Sequence, residues 1–155
     1  MTFELMASAN KPLALRALMQ HWKNTAPAAA PLAFDIDGNG SCDPATDAAL
    51  TFRYMSGLRG PALVQGIPFG SGASRTSAID IAAYLDGLAQ GTTPALDVDG
   101  DGKVNPLTDG LLFWRYTVAV PAALMTNAIR APLSIPGTRS DSAIISYLNS
   151  RCVLP

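Results

Sequence analysis

The chain reads as a helical fold made of two copies of one unit, loop, helix, bridge and helix, closed as a pseudo-symmetric pair. Three observations predict this. An acidic, glycine-containing stretch, "DIDGNGSCDPATD" at 35–47, returns as "DVDGDGKVNPLTD" at 97–109, matching Asp35, Asp37, Gly38, Gly40, Pro44, Thr46 and Asp47 with Asp97, Asp99, Gly100, Gly102, Pro106, Thr108 and Asp109. The segments that follow, "TDAALTFRYMSGL" (46–58) and "TDGLLFWRYTVAV" (108–120), share Leu50/Leu112, Arg53/Arg115 and Tyr54/Tyr116. And 155 residues with 48% hydrophobic content are enough to bury one sizeable core.

The elements follow in order. Residues 12–23, "PLALRALMQHWK", set Leu13, Leu15, Leu18, Met19 and Trp22 along one face behind a proline suited to a first helical turn, which predicts a short amphipathic helix. "NTAPAAAPLAF" cannot continue that helix and reads as a linker, so residues 1–33 form an N-terminal helix and Ala/Pro connector. The second domain, 34–155, divides into units 34–92 and 93–155. In each, a helix follows the acidic loop, a turn-rich bridge follows that, and a second helix closes the unit: "SAIDIAAYLDGL" (77–88) and "DSAIISYLNS" (141–150), each introduced by an Arg and a Ser or Asp able to cap it. Asp35 and Asp97 set the period at about 62 residues. Each unit leaves one apolar face incompletely covered, and two such faces bury one another.

Charge excludes one class of partner. The 11 Lys and Arg are scattered singly and the net charge is −1, so no basic stripe exists to follow a phosphate backbone and nucleic acid is not expected. The acidic residues are concentrated instead: of 12, eight lie in the two loops, leaving only Glu4, Asp80, Asp86 and Asp141 elsewhere. No 18-residue apolar run is present to span a membrane.

The loops supply oxygen at the spacing calcium takes. Calcium accepts six to eight oxygen ligands, and a loop offering side-chain oxygens at positions 1, 3 and 5, a carbonyl at 7 and a closing carboxylate provides them. In the first loop Asp35, Asp37 and Asn39 take the side-chain places, Ser41 gives a carbonyl and Asp43 acts through water. In the second, Asp97, Asp99, Asp101, Lys103 and Asn105 take the same places. Gly40 and Gly102 stand at position 6, where the chain turns sharply, while Ile36 and Val98 point into apolar surroundings. Cys42 and Val104 hold position 8, where two such loops pair back to back. The closing acid comes one residue late, at Asp47 and Asp109, behind a proline at position 10. Two compatible roles are open for it: a direct ligand, or an acid at the helix N-terminus complementing the dipole. A pair of Asx-rich turns is the plain alternative for both loops. Four carboxylates within 13 residues repel one another unless a cation is present, which favours the metal.

"DVDGDGKVNPLTDGLLFWRY" resembles the loop and first helix of dockerin repeats, the EF-hand-like calcium modules of secreted bacterial proteins, and the 35–152 region resembles their tandem units. The resemblance implies an all-α fold, two calcium ions and an extracellular, cell-surface or periplasmic setting. The resemblance leaves a cohesin-like partner open, but the loop ends do not support it: Pro44, Ala45, Pro106 and Leu107 stand where dockerins present small polar residues, and the repeat is about twice the usual length. The N-terminus has no basic n-region, and Glu4, Asn10, Lys11 and Pro12 interrupt its apolar stretch, so no signal peptide is visible; the reading favours a mature or excised piece of a longer exported chain.

Catalysis is not expected. His21 is the only histidine and lies on the N-terminal helix beside Trp22, no Ser-His-Asp or Cys-His set can be assembled, and nearly every carboxylate is committed to a loop. "GIPFGSGASR" (66–75) lacks the lysine of a phosphate loop and reads as turn and cap. The expectation is a structural or protein-interaction module; the alternative is a regulatory calcium sensor, which exposes a Met-rich groove, whereas the five methionines here are dispersed. Cys42 and Cys152 permit one disulfide in an oxidising compartment, or remain a buried core thiol and a terminal one.

Overall fold

The computed structural model describes residues 32–127, 129 and 139–155, and residues 32–155 cluster as one compact unit. The expected N-terminal helix, with His21 and Trp22, lies outside the described residues. Among those described, every regular element is helical. The first acidic loop runs into a single π-type turn, Pro44–Ala48, and then α1, Ala49–Met55. A four-residue α2, Pro61–Val64, and α3, Ala78–Ala89, complete the first half. The second loop runs into the π-type turn Pro106–Gly110 and α4, Leu111–Thr117, followed by a 3-10 turn, Ala122–Leu124, and α5, Asp141–Asn149.

The first helix of each half thus begins as a wide turn. Ala48 N–H reaches back five residues to the Asp43 carbonyl at 3.2 Å, and Gly110 N–H does the same to Asn105 at 3.2 Å. Proline opens both turns, where its missing N–H has no helical acceptor to lose. One residue more than an α-turn is accommodated, and this decides where the late acids Asp47 and Asp109 fall. Serine caps the second helices: Ser77 Oγ accepts from Asp80 N–H at 3.1 Å and Ser140 Oγ from Ala143 N–H at 3.3 Å. The helix α2 was not expected; Pro61 and the left-handed Gly60 (φ 58°) initiate it inside the bridge.

Apolar residues at helical spacing turn inward from each second helix, Ile81 and Leu85 from α3, Ile144 and Leu148 from α5, and all four are fully buried. They meet Leu50 of α1, Leu63 of α2, and Leu112 and Phe113 of α4 in one core that also contains Phe34, Ile36, Leu96 and Val98 from the loops. Each fully buried side chain of this size contributes about 1.5–3 kcal/mol. The first helices cross over: α1 packs on the π-turn of the second loop, and α4 on that of the first. Gly110 makes the approach close, since a Cβ there would lie 3.0 Å from Phe52 Cδ2 and 3.3 Å from Met55 Sδ.

Polar ties repeat along the chain. Arg53 donates to the carbonyls of Leu63 (3.1 Å) and Gln65 (2.7 Å), holding α2 against α1, and Arg115 donates to Leu124 (3.1 Å), Met125 (2.9 Å) and Asn127 (2.7 Å). Tyr54 Oη bonds Asp86 on α3, and Tyr116 Oη bonds Asn149 on α5 at 2.7 Å. The ends of the unit are tied together: Phe34 N–H donates to the Arg151 carbonyl at 3.2 Å, Cys42 N–H to Val153 at 2.6 Å, and Cys42 and Cys152 form a disulfide with Cα atoms 5.7 Å apart.

Candidate metal centres

Each loop is organised by its own carboxylates. Asp35 Oδ1 accepts from Gly38 N–H (2.8 Å) and Asn39 N–H (3.0 Å) while Oδ2 accepts from Gly40 N–H (2.8 Å). Asp97 takes the matching bonds from Gly100 (2.7 Å), Asp101 (3.1 Å) and Gly102 (3.0 Å). The path around the first aspartate requires left-handed backbone, which Gly38 (φ 74°) and Gly100 (φ 80°) adopt freely. At Gly38 the space is closed as well, for a Cβ would fall 2.0 Å from Ser74 Oγ.

The π-turns deliver the late acids into the loops. Asp47 Oδ1 accepts from Ile36 N–H (2.6 Å) and Asp37 N–H (3.2 Å), and Oδ2 from Asp43 N–H (2.9 Å). Asp109 repeats this with Val98 (2.6 Å), Asp99 (3.1 Å) and Asn105 (2.8 Å). As a result Asp35, Asp37 and Asp47 are buried together, as are Asp97, Asp99 and Asp109, and within each trio one oxygen per residue lies within 4.8 Å of the others. Calcium–oxygen distances of 2.3–2.6 Å put opposite ligands about 4.6–5.2 Å apart, so the trios have the span such an ion requires. A carboxylate has about four lone-pair positions, and the N–H bonds leave some of them for a cation.

Other candidate ligands surround the trios. Asn39 Nδ2 donates to Asp37 Oδ2 at 3.1 Å, and its Oδ1 accepts from Ser41 N–H (2.8 Å) and Oγ (2.9 Å). Asp101 Oδ1 accepts from Lys103 N–H at 2.8 Å. Asp43 and Asn105 cap the π-turns: Asp43 Oδ1 accepts from Ala45 N–H (3.0 Å) and Thr46 N–H (2.8 Å), Asn105 Oδ1 from Leu107 N–H (2.8 Å). The back-to-back pairing expected at position 8 is replaced in the first loop, where the Cys42 amide binds the C-terminal tail at Val153.

Burial makes the closing acids hard to ionise without a counter-charge. It pushes Asp47 and Asp109 up to about 7, against the pull of the N–H bonds they accept, with Asp37 and Asp99 respectively adding repulsion. Burial also raises Asp37. Arg75 and Arg139, the arginines against the loops, bond main-chain carbonyls instead of these carboxylates. Arg75 donates from Nε to Ile36 O (2.7 Å) and from Nη2 to Asp35 O (2.6 Å), and Arg139 donates from Nη1 to Asp97 O (2.6 Å) and Val98 O (2.9 Å). A buried trio of acids with this span can hold a hard divalent cation.

The sequence reading took Arg75 and Arg139 only as residues introducing a helix. Each also lies over a tyrosine ring of its own second helix, Tyr84 or Tyr147, at 4.0 Å, and those hydroxyls donate to Ala33 O (3.2 Å) and Ala95 O (2.8 Å) just ahead of the loops. The signal was present as an Arg and a Tyr recurring nine and eight residues apart in "RTSAIDIAAY" and "RSDSAIISY". Searches of protein-family models, curated proteins and solved structures returned no match to this chain.

Proposed function

We propose that the chain is a calcium-binding structural and protein-interaction module, built of two dockerin-like, EF-hand-like units and belonging to or docking with a larger exported bacterial protein. One observation carries the reading: two buried aspartate trios, at matching positions in the two loops, in each of which one carboxylate oxygen per residue lies within 4.8 Å of the others. Hard carboxylate oxygens suit calcium, and the flexible loop oxygens around the trios raise the ligand number beyond what magnesium's strict octahedron prefers. The disulfide accords with an oxidising compartment, where free calcium is also abundant. Catalysis has no part in this reading.

Met125 is fully buried and Met55 packs against the core, which supports a module over a sensor with a Met-rich groove. Native mass spectrometry with calcium and with magnesium tests the metal reading: two calcium ions per chain are expected, with magnesium displaced at equal concentration, and a protein that retains neither ion overturns it. Capture of partners in calcium and in chelator tests the interaction; a set of bound proteins indifferent to calcium removes the docking role.

A further inference from the structure

Beside the second loop is a cavity of about 300 Å³ whose walls include Thr92, Thr93, Asp97, Arg139, Tyr147 and Arg151. Two of these are guanidiniums on one ring: Arg139 lies 4.0 Å and Arg151 3.7 Å from the Tyr147 centroid. Arg151 Nη1 donates to Tyr147 O (3.2 Å) and Ser150 Oγ (2.7 Å), as Arg139 Nη1 does to the loop carbonyls, and among the described residues Nε and Nη2 of both have no recorded partner. Two pinned guanidiniums with donors to spare, next to threonine hydroxyls in a recess, are cationic donors of the kind that receives a carboxylate.

Comparison of the halves separates what the fold needs from what it does not. The first arginine occurs in both, as Arg75 on Tyr84 and Arg139 on Tyr147, and clamps the loop in each. The second does not: four residues beyond Tyr84 stands Leu88, where four beyond Tyr147 stands Arg151. The main chain at 151 binds Phe34 and precedes the disulfide, but the side chain forms no part of that closure.

We propose that this cavity is a second binding site, for a carboxylate group, with Arg139 and Arg151 as its cationic donors and Thr92 and Thr93 as its hydroxyl donors. Asp97 opposes such a ligand unless its charge is balanced by a cation in the loop, so carboxylate and calcium bind with positive coupling. That coupling, though not the site itself, rests on the calcium reading.

The test is an amide NMR titration of the full, oxidised chain in calcium, using acetate and a terminally blocked glutamate, with chloride at equal ionic strength as control. Saturable shifts centred on Thr92, Thr93, Tyr147 and Arg151 are expected with a carboxylate and not with chloride. If both probes bind alike the site takes any small acid, and if only the blocked glutamate binds it takes an acidic residue of a protein. Arg151→Leu, which installs the residue of the first half, is expected to weaken binding at least tenfold, and Thr93→Val about two- to fivefold. Neither probe producing saturable shifts there, or Arg151→Leu binding as the parent does, overturns the site. Equal carboxylate affinity in calcium and chelator overturns the coupling alone, and calcium titration of the same sample shows separately whether the loops hold metal.

Discussion

The two acidic loops agree in nearly every internal hydrogen bond and differ in what holds them from outside. The first is stapled: its position 8 is bonded to the C-terminal tail through both the Cys42–Cys152 disulfide and the Cys42 amide. The second has Val104 at that place and, among the described residues, no such staple, and its charge is placed differently: Asp101 stands where the first has Asn39, and Asn105 where the first has Asp43, so each loop carries four carboxylates. Rigidity and ligand charge are the two levers by which loops of this type set affinity. The difference teaches that one loop pattern can keep its number of carboxylates while moving one of them, from position 9 in the stapled half to position 5 in the other.

Removing metal breaks both halves at once and has the largest expected effect. Each ion at ~1,000 times its dissociation constant adds about 4 kcal/mol, comparable with the whole stability of a small domain. Thermal melts in excess calcium and in chelator are therefore expected to lie far apart, and coincident melts would end the comparison. The pH dependence is expected to differ between the metal-free and calcium-bound states. Without metal, Asp47 and Asp109 titrate near 7 folded against 3.8 unfolded, so the folded state binds more protons and stability falls as pH rises from about 4 to 7. With calcium the carboxylates are held ionised, as they already are in the unfolded chain above pH 4, so that slope is expected to vanish and stability to be lost only as pH falls below about 4. Melts at pH 5 and 7.5, with and without calcium, read both slopes.

Opening the staple distinguishes the halves. The disulfide closes a loop with a sequence separation of 110, for which chain entropy gives roughly 4–5 kcal/mol. Cys42→Ser with Cys152→Ser is expected to lower stability by about that amount and to weaken one calcium site while sparing the other in calorimetry; equal weakening of both would show that the staple serves the domain and not the first loop. Next in size, Asp47→Ala and Asp109→Ala are each expected to abolish one site, removing about 4 kcal/mol of calcium-dependent stability at ~1,000 times the dissociation constant. A variant that still binds two ions with unaltered affinity would leave its aspartate only the hydrogen bonds at the helix start. The smallest change sharpens the charge argument. Asn39→Asp is expected to strengthen the first site and Asp101→Asn to weaken the second, each by about tenfold or 1.4 kcal/mol, and calorimetric affinities that move together or not at all would refute the assignment of charge as the lever.

The loops were legible because their order is local. Asp35 and Asp97 bond amides three to five residues ahead, so spacing alone places these groups together. The second helices were equally plain, with a serine cap and an inward Ile–Leu pair each, and α3 and α5 fall within a residue of the expected ends. The first helices begin later than expected because proline and the capping residues Asp43 and Asn105 open a wide turn, a geometry that helical periodicity does not register.

The sequence by itself determined two acidic loops of one pattern, the helices that follow them and the apolar faces those helices bury, since each depends on residues within a turn or two of one another. Only the tertiary structure decided that Arg75 and Arg139 grip the loops from about 40 residues away, that Cys42 meets Cys152 rather than the opposite loop, and that two arginines share Tyr147. Those pairings join segments whose closure entropy is overcome only by the common core, and no local pattern encodes which partner each will find.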